Sequence, residues 1–595
     1  AAGHLSEAFG EWASWQGGEL PLPAEVDDRT EALFETFRTA EDLNVVLAAF
    51  ARLYRLAVLA PKAARGGGAT SSNSTGSSKA VHVAEPQEEP KAAQCPPPWA
   101  ASGQAWSYPY EPIRVLLAGH WKAKQLWAKL DARCGRPEYT SSACAEGRLR
   151  GKRIVVVGAG PSGLRAAIEL RLLGAQVTVL ERRKSFTRLN RLHLWHWCGE
   201  ELKALGARCL EPPPLDFGAD PDLLHIGIAE LQTLLLKTSL LLGVQVLLGA
   251  SYCGAKWIPG AASSPRGNWA VRIQHATSGT AVGTEAAEAL LGDVAIVVGA
   301  GGLSCGVGRG IGMESVEVGS LRAEEAIGLV CNFRASGHSD RSLRSFALAR
   351  QFYGKLFTRV EAETGAELEN VVYTRSKASH YFVMTPTRHC LERCGVLKDP
   401  LCKPALASHN LDRSALDAFV RRIVAFPFKE GEPTLPTAVE KDKGELHYAD
   451  GGPQLFDFSR MRRMAEGLAF VAPPAKNKEI IEDEAAVGDA TDAPAQGEYP
   501  LLVVLAGDAL VEPFWPEGLG VVRGFFGALD ASWAALRWAS GAPQTVVSAE
   551  FAAAYGQLKS LGAQSRSRVI RDDEAGYSLA PSSRYRVVCH PPDAM

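Results

Sequence analysis

The sequence has almost no net charge. Lys and Arg number 64 against 66 Asp and Glu, leaving −2 over 595 residues, and so balanced a chain offers no global field for nucleic acid or an anionic membrane surface. It also lacks an apolar run long enough to span a bilayer: the nearest, residues 234–250, is interrupted by Lys237, Gly243 and Gln245. Of its 12 cysteines none stands in a CxxC pair, which argues against a zinc ribbon or redox dithiol and leaves free thiols in a reducing, cytoplasmic compartment as the expectation. No basic-then-apolar leader opens the chain, although it begins at Ala1 rather than an initiator, so an upstream segment could have been removed. His193 and His196 form an HxxH spacing with no third ligand nearby, and no metal is expected there.

What is present is one organising stretch, Arg153 to Arg183, RIVVVGAGPSGLRAAIELRLLGAQVTVLERR. A short β-branched run, Ile154 to Val157, reads as a buried parallel strand and leads into Gly158-Ala159-Gly160-Pro161-Ser162-Gly163. Gly158 permits the tight turn, Gly160 clears the backbone for a pyrophosphate, and Gly163 lets the next helix lie close to the strand. Pro161 suits a first helical turn, Leu164, Ala167, Ile168 and Leu172 share one face, and Gly174 ends the helix. A second strand, Gln176 to Leu180, finishes at Glu181, roughly 20 residues past the glycines, where a carboxylate can hold a ribose 2′-hydroxyl. A free carboxylate there disfavours a 2′-phosphate, so the site suits FAD or NAD better than NADP.

Around this unit the pattern predicts an α/β protein: a Rossmann-type FAD-binding domain with an inserted α+β substrate-facing domain and helical extensions at both ends. Residues 1–150 read as a helical extension, with helices over 30–60 and 113–130 and a Gly/Ser/Glu/Pro-rich disordered insertion at about 65–98. The segment HWKAKQLWAKLDAR fits an amphipathic helix docked on the flavin domain better than a basic recognition helix. Residues 151–320 form the first part of the cofactor domain, with a helix at 228–242 and strands at 244–248, 269–273 and 294–298. From 321 to 475 the alternation weakens into the substrate-facing domain, 476–499 reads as a mobile acidic insertion, 500–540 as the second part of the cofactor domain, and 541–595 as a C-terminal helical segment.

The second part decides the cofactor. Leu501 to Gly507 is a buried strand ending at Asp508, followed by Gly518 and Gly520 opening a long helix. Asp508 can hold ribityl hydroxyls, while a helix N-terminus stabilises negative charge on a reduced ring. Strand, acid and glycine-opened helix, added to the βαβ unit, point to a flavin.

These residues resemble the flavin monooxygenase domain of the MICAL proteins, a branch of the p-hydroxybenzoate hydroxylase-like class. The resemblance rests on WKAKQLWAKLDAR, GAGPSGLRAAIEL, LNRLHLW, ELQTLLLKTSLLLGVQV, TGAELENVVY, HYFVMT, LERCGVLKDP, GDALVEPFWPEGLGVVRGFFGALDASW and YSLAPSSRY, which reach from about residue 110 to 588. Carried over by motif, it implies FAD contacts at Gly158, Gly160, Ser162, Gly163, Glu181, Arg182, Arg183, Arg188, Asn190, Tyr252, Tyr373, Asp508, Gly518 and Gly520. It also implies that Trp515 walls the flavin ring, that Asn190 faces the reacting position and that Tyr373 stacks on the ring. The implied cycle is reduction of FAD by NADPH, addition of O₂ to give a C4a-hydroperoxide, and oxygen transfer to methionine of filamentous actin, in the cytoplasm and in contact with the cytoskeleton.

The match departs from the family at four places. Leu519 replaces a threonine, His196-Trp197 replaces Pro-Phe, Ala229 and Glu230 remove a positive charge expected near the nucleotide, and the near-neutral chain differs from the basic face the family turns to actin. No calponin-homology, LIM or coiled-coil region is seen, which suggests a stand-alone enzyme or an excised domain. Two alternatives follow: a hydroxylase of small aromatic substrates, favoured by the changes around Trp515 and Trp197, and a flavoprotein scaffold whose NADPH oxidation releases hydrogen peroxide.

Overall fold

The computed structural model describes residues 29–59, 108–140, 149–208, 210, 224–260, 267–275, 288–318, 327–335, 343–375, 379–429, 431, 434–435, 447–458, 461–474, 499–513, 518–562 and 565–587. The insertion at 65–98, nearly all of the acidic stretch 476–499, and Trp515 lie outside these residues.

A six-stranded sheet forms the first body. From edge to edge its strands are Leu468–Val471, Leu501–Leu505, Val294–Gly299, Arg153–Val157, Gln176–Glu181 and Gln245–Leu248. The first is antiparallel to its neighbour and the other five run parallel. The central strands are continuous Val, Ile and Leu because both faces are covered. Helix Pro161–Leu172 packs against both Ile228–Leu242 and Gly520–Ala539.

The weakly alternating region forms a separate, five-stranded antiparallel sheet in the order Phe346–Ala349, Leu368–Arg375, Ser379–Pro386, Ile327–Arg334, Gln454–Asp457. Helices Gly354–Thr364 and Arg413–Val424 bury Phe357, Val360, Leu416 and Phe419 against it, in a core distinct from the first. An antiparallel ribbon, Ser315–Val318 with Met461–Met464, lies where the chain passes out of the first body and back into it.

The N-terminal region resolves into more helices than the periodicity predicts. Residues 30–60 give two, Thr30–Thr39 and Leu43–Leu59, and 110–134 gives Tyr110–Leu116 and Trp121–Cys134. The second break is set by His120, whose ring accepts the Ala123 N–H at 3.2 Å as an N-cap. Trp121–Cys134 docks through Ala123, Trp127 and Leu130, and the Lys237 ammonium donates to the Arg38 and Ala40 carbonyls at the end of the first helix, at 3.0 and 2.6 Å.

A buried ion network fastens this extension to the cofactor domain. Arg133 donates to both oxygens of Glu201, at 2.9 and 2.7 Å, and lies 3.2 Å from Glu169. Arg165 reaches Glu169 at 2.5 Å and Glu201 at 3.1 Å, and the Tyr139 hydroxyl donates to Glu169 at 2.6 Å. All four charged groups are buried. At the other end, Asp530, deep in helix Gly520–Ala539, receives the Tyr585 hydroxyl at 2.7 Å and the buried guanidinium of Arg584. Trp197 packs on Phe526 and Tyr577, with ring centroids 4.8 and 5.6 Å away.

Replacing Glu169 with Gln leaves Arg133 and Arg165 facing one carboxylate in a dry site, and should cost about 3–5 kcal/mol of stability by urea denaturation. The network also sets an acid limit. Burial works to raise the Glu201 pKa, but Arg133, Arg165 and Arg136 outweigh it and hold it at about 2 against an ordinary 4.5. A folded pKa below the unfolded one means that the stabilisation is complete above about pH 4.5 and is lost as pH falls toward 2, a loss that thermal melts across this range should record.

Candidate active site at the carboxyl edge of the parallel sheet

Parallel strands Arg153–Val157, Val294–Gly299 and Leu501–Leu505 end on one edge, so the turns that follow them share it. Gly158 has φ +108°, and a Cβ there would stand 2.6 Å from the Ala300 carbonyl oxygen; one on Gly163 would collide with the Gly158 carbonyl. Gly160 differs: a Cβ would meet nothing within 4 Å. The turn is therefore closed toward the protein and open above the start of helix Pro161–Leu172, where amide donors and the helix dipole favour phosphate. The residues fit a dinucleotide.

The two halves meet at Ser162. A Cβ on Gly507 would lie 2.5 Å from the Ser162 hydroxyl, and one on Gly524 would overlap it. The hydroxyl thus fills the space that two glycines leave, which carries neighbouring Asp508 to the edge that bears Gly160. Asp508 is half-buried; burial raises its pKa to about 6, with Arg188 opposing and Glu512 reinforcing the shift. Arg188 is thereby brought from the connector after Gln176–Glu181 to the neighbourhood of Asp508, and Asn190 ties that connector down by accepting the Ile228 N–H at 2.9 Å.

Glu181 is not the free carboxylate of the sequence reading. It accepts from the Ala159 N–H and from the Arg183 N–H and Nε, each at 2.9 Å. Burial pushes its pKa up, and the Arg183 contacts with the Ala159 amide outweigh this and hold it below the ordinary value. Arg182 is exposed. Tyr252 is half-buried, its hydroxyl driven up to about 12 by burial and by Cys305, which lies in the turn after Val294–Gly299. Gly518 (φ +68°) leaves 3.5 Å between a Cβ and that of His193, and Gly520 opens the helix beside Pro513.

Three sequence readings need correction. Tyr373 does not offer a face to a flavin: it is 2% exposed within the second core, its ring 4.6 Å from Phe382 and 5.5 Å from Phe346, and its hydroxyl is bonded to His380 Nδ1 at 2.8 Å. Trp197 is a core residue under Phe526, not part of a substrate pocket. Glu230 caps its own helix by accepting the Gly227 N–H at 2.9 Å and lies 3.4 Å from buried Arg191, so it balances charge instead of depriving a nucleotide of it. His193 meets His225 edge-on at 4.6 Å, and burial with Arg191 lowers both, to about 4 and about 3. Among the described residues no group of three or more His, Cys, Asp or Glu could hold a metal, and no helix is long and apolar enough to cross a membrane.

Gly524, with Gly527 and Ala528, reads from the sequence as a small residue that lets its helix pack closely, but nothing in the sequence says that Gly507 and Gly524 both face one serine. A Gly160→Val variant should keep its far-ultraviolet circular dichroism and lose the yellow chromophore, whereas Gly163→Val should fail to fold, since its side chain meets backbone.

Residues 325–445 match the family model described as "Mical, Rossman domain", and residues 120–210 match "Pyridine nucleotide-disulphide oxidoreductase". The chain is 35% identical over 487 residues to the F-actin monooxygenase MICAL1 of Bos taurus, covering 80% of this chain and 39% of that protein. To the protein-methionine sulfoxide oxidase mical3a of Danio rerio it is 32% identical over 481 residues, covering 80% and 21%. It thus spans well under half the length of these relatives. A solved complex of aklavinone-11 hydroxylase with FAD and aklavinone gives a TM-score of 0.43 at 13% identity, over 69% of this chain and 67% of that one. With residues 325–445 on that family model and a match to MICAL1 through 80% of its length, the chain belongs to the MICAL family, as its FAD-binding domain.

Proposed function

We propose that the chain spends NADPH and O₂ to oxidise the sulfur of protein methionine, filamentous actin being the foremost substrate. The observation that carries this reading is a match to the F-actin monooxygenases that runs through 80% of the chain. Bound FAD would supply hydride acceptance and oxygen activation. The chain's own residues bind and orient. The open side of Gly160 and the helix start behind it hold the pyrophosphate, Glu181 with Arg183 holds the adenosine ribose, and Asp508 accepts from ribityl hydroxyls. The helix beginning at Gly520 would turn its positive end to the charge that reduction develops, and its motif assigns Asn190 to the reacting position. To Trp515 its motif alone assigns the wall that keeps water from the oxidant. The product changes the substrate's packing, because a sulfoxide is polar where methionine was apolar.

The small-aromatic hydroxylase reading loses ground with Trp197 in the core. Peroxide release remains the competitor to be tested. Filamentous actin incubated with the FAD-loaded protein and NADPH should gain one oxygen on methionine by peptide mass spectrometry, with catalase present. No gain, or a gain that catalase abolishes, overturns the proposal in favour of an oxidase.

A further inference from the structure

Far from the cofactor edge in sequence, the loop between helices Arg388–Arg393 and Arg413–Val424 sets a cysteine against a histidine. The Leu397–Leu411 bridge closes its neck, and buried Asn410 braces its interior: the side-chain amide donates to the Asp399 and Ala405 carbonyls, at 3.0 and 2.8 Å, and its oxygen accepts the Asp399 N–H at 2.8 Å. Arg388 ties the outer turn by donating to the Pro400 carbonyl. So held, Cys402 Sγ stands 3.4 Å from Nε2 of His409, in the short turn Ser408–Asn410. Cys402 is half-buried and His409 exposed, so a small solute reaches the pair. The loop's other charged side chains are Lys398, Asp399 and Lys403; Asp399 accepts the Leu401 N–H at 2.8 Å, and Lys398 donates to the His409 carbonyl at 3.4 Å.

The other described cysteines have no imidazole on the sulfur. Burial drives Cys198 and Cys331 well above an ordinary thiol, Cys390 to about 12 and Cys134 to about 11. Cys253 and Cys394 are partly exposed, but their thiols donate to the Ser251 and Gly365 carbonyls, at 3.7 and 3.6 Å, oxygens that accept a hydrogen bond without carrying the proton away. Cys402 has such a carbonyl too, that of Pro404 at 3.7 Å, and the imidazole lies closer. A base in contact with a partly exposed thiol is what makes cysteine a nucleophile near neutral pH. We propose that Cys402 is a site of reversible oxidation by hydrogen peroxide, with His409 as the base that takes the thiol proton. Sulfur attacks one peroxide oxygen; an S–O bond forms as the O–O bond breaks, sulfur gives up two electrons, and the proton passes through Nε2 to the departing hydroxide, leaving a sulfenic acid and water. Two equivalents of a small thiol return it to the free thiol, with their disulfide and water as products. Peroxide supplied from solution suffices, so the site stands apart from whatever substrate the cofactor edge serves.

The test uses the full chain, FAD-loaded and without NADPH, beside Cys402→Ser, His409→Ala and His409→Gln. Each protein meets hydrogen peroxide at neutral pH with dimedone present, and peptide mass spectrometry reads the labelling cysteine by cysteine. Cys402 should label first among the described cysteines, lose its label when dithiothreitol precedes dimedone, and label about 10-fold more slowly in both histidine variants. Iodoacetamide at neutral pH should show the same slowing, whereas at about pH 9.5, where a thiol ionises unaided, the variants should fall within about 2-fold of the unaltered protein. Labelling of Cys402 no faster than that of Cys253, Cys305 or Cys394 overturns the site. Histidine variants that label at the unaltered rate overturn the role of His409, as does equal slowing at both pH values, which marks lost access instead of a lost base.

Discussion

The Ser162 hydroxyl occupies a space that only two missing side chains can provide. Gly507, after the last parallel strand, and Gly524, in the helix that follows it, both give way to that oxygen, and van der Waals exclusion there allows hydrogen and nothing larger. Since Ser162 stands one residue from Gly163, whose own closeness to Gly158 fixes the glycine turn, a single contact sets the distance between that turn and the Asp508 turn. The rest of the edge inherits that spacing: Arg188 near Asp508, Glu181 on the Ala159 amide, and Gly518 against His193.

Shape alone does not keep this edge rigid. Helix Pro161–Leu172 carries Arg165 and Glu169 on its inner side, and they are satisfied only because Arg133 and Tyr139 arrive from the N-terminal extension and Glu201 from the helix after the connector. A buried ion cluster gives little net stability over a well-packed apolar one, but it tolerates few alternative arrangements. The helix whose first turn meets the cofactor is thus held in register by a segment that never touches the site.

How much of this could be read beforehand depended on whether the signal was local. The βαβ unit was legible because strand, glycines, helix and acid are contiguous, and Asp508 because an apolar strand precedes it. The ion cluster was not: Arg165 and Glu169 stand four apart, a spacing that ordinarily marks an exposed helix pair, and only the fold reveals that both lie inside. Tyr373 went astray for a related reason. A strand residue points to one of two faces, and which face was covered by Phe346 and Phe382 depended on partners remote in sequence. The break before Trp121 turned on a histidine ring acting as a cap, a role more often filled by Ser, Thr, Asp or Asn. The ribbon that fastens Met461–Met464 to the segment after Asp508 has only four residues in each strand, too few for alternation to register.

Asp530 raises the matter of where this catalytic unit can be cut. A carboxylate inside the helix that starts at the cofactor is answered solely by Arg584 and Tyr585 among the described residues, both contributed by the tail. Trimming at the apparent end of the nucleotide-binding strands and helix, near residue 540, would take away both partners of that carboxylate. The last turns are accordingly a structural lid on the flavin helix, and any shuffling of this module between longer polypeptides must transfer them along with it.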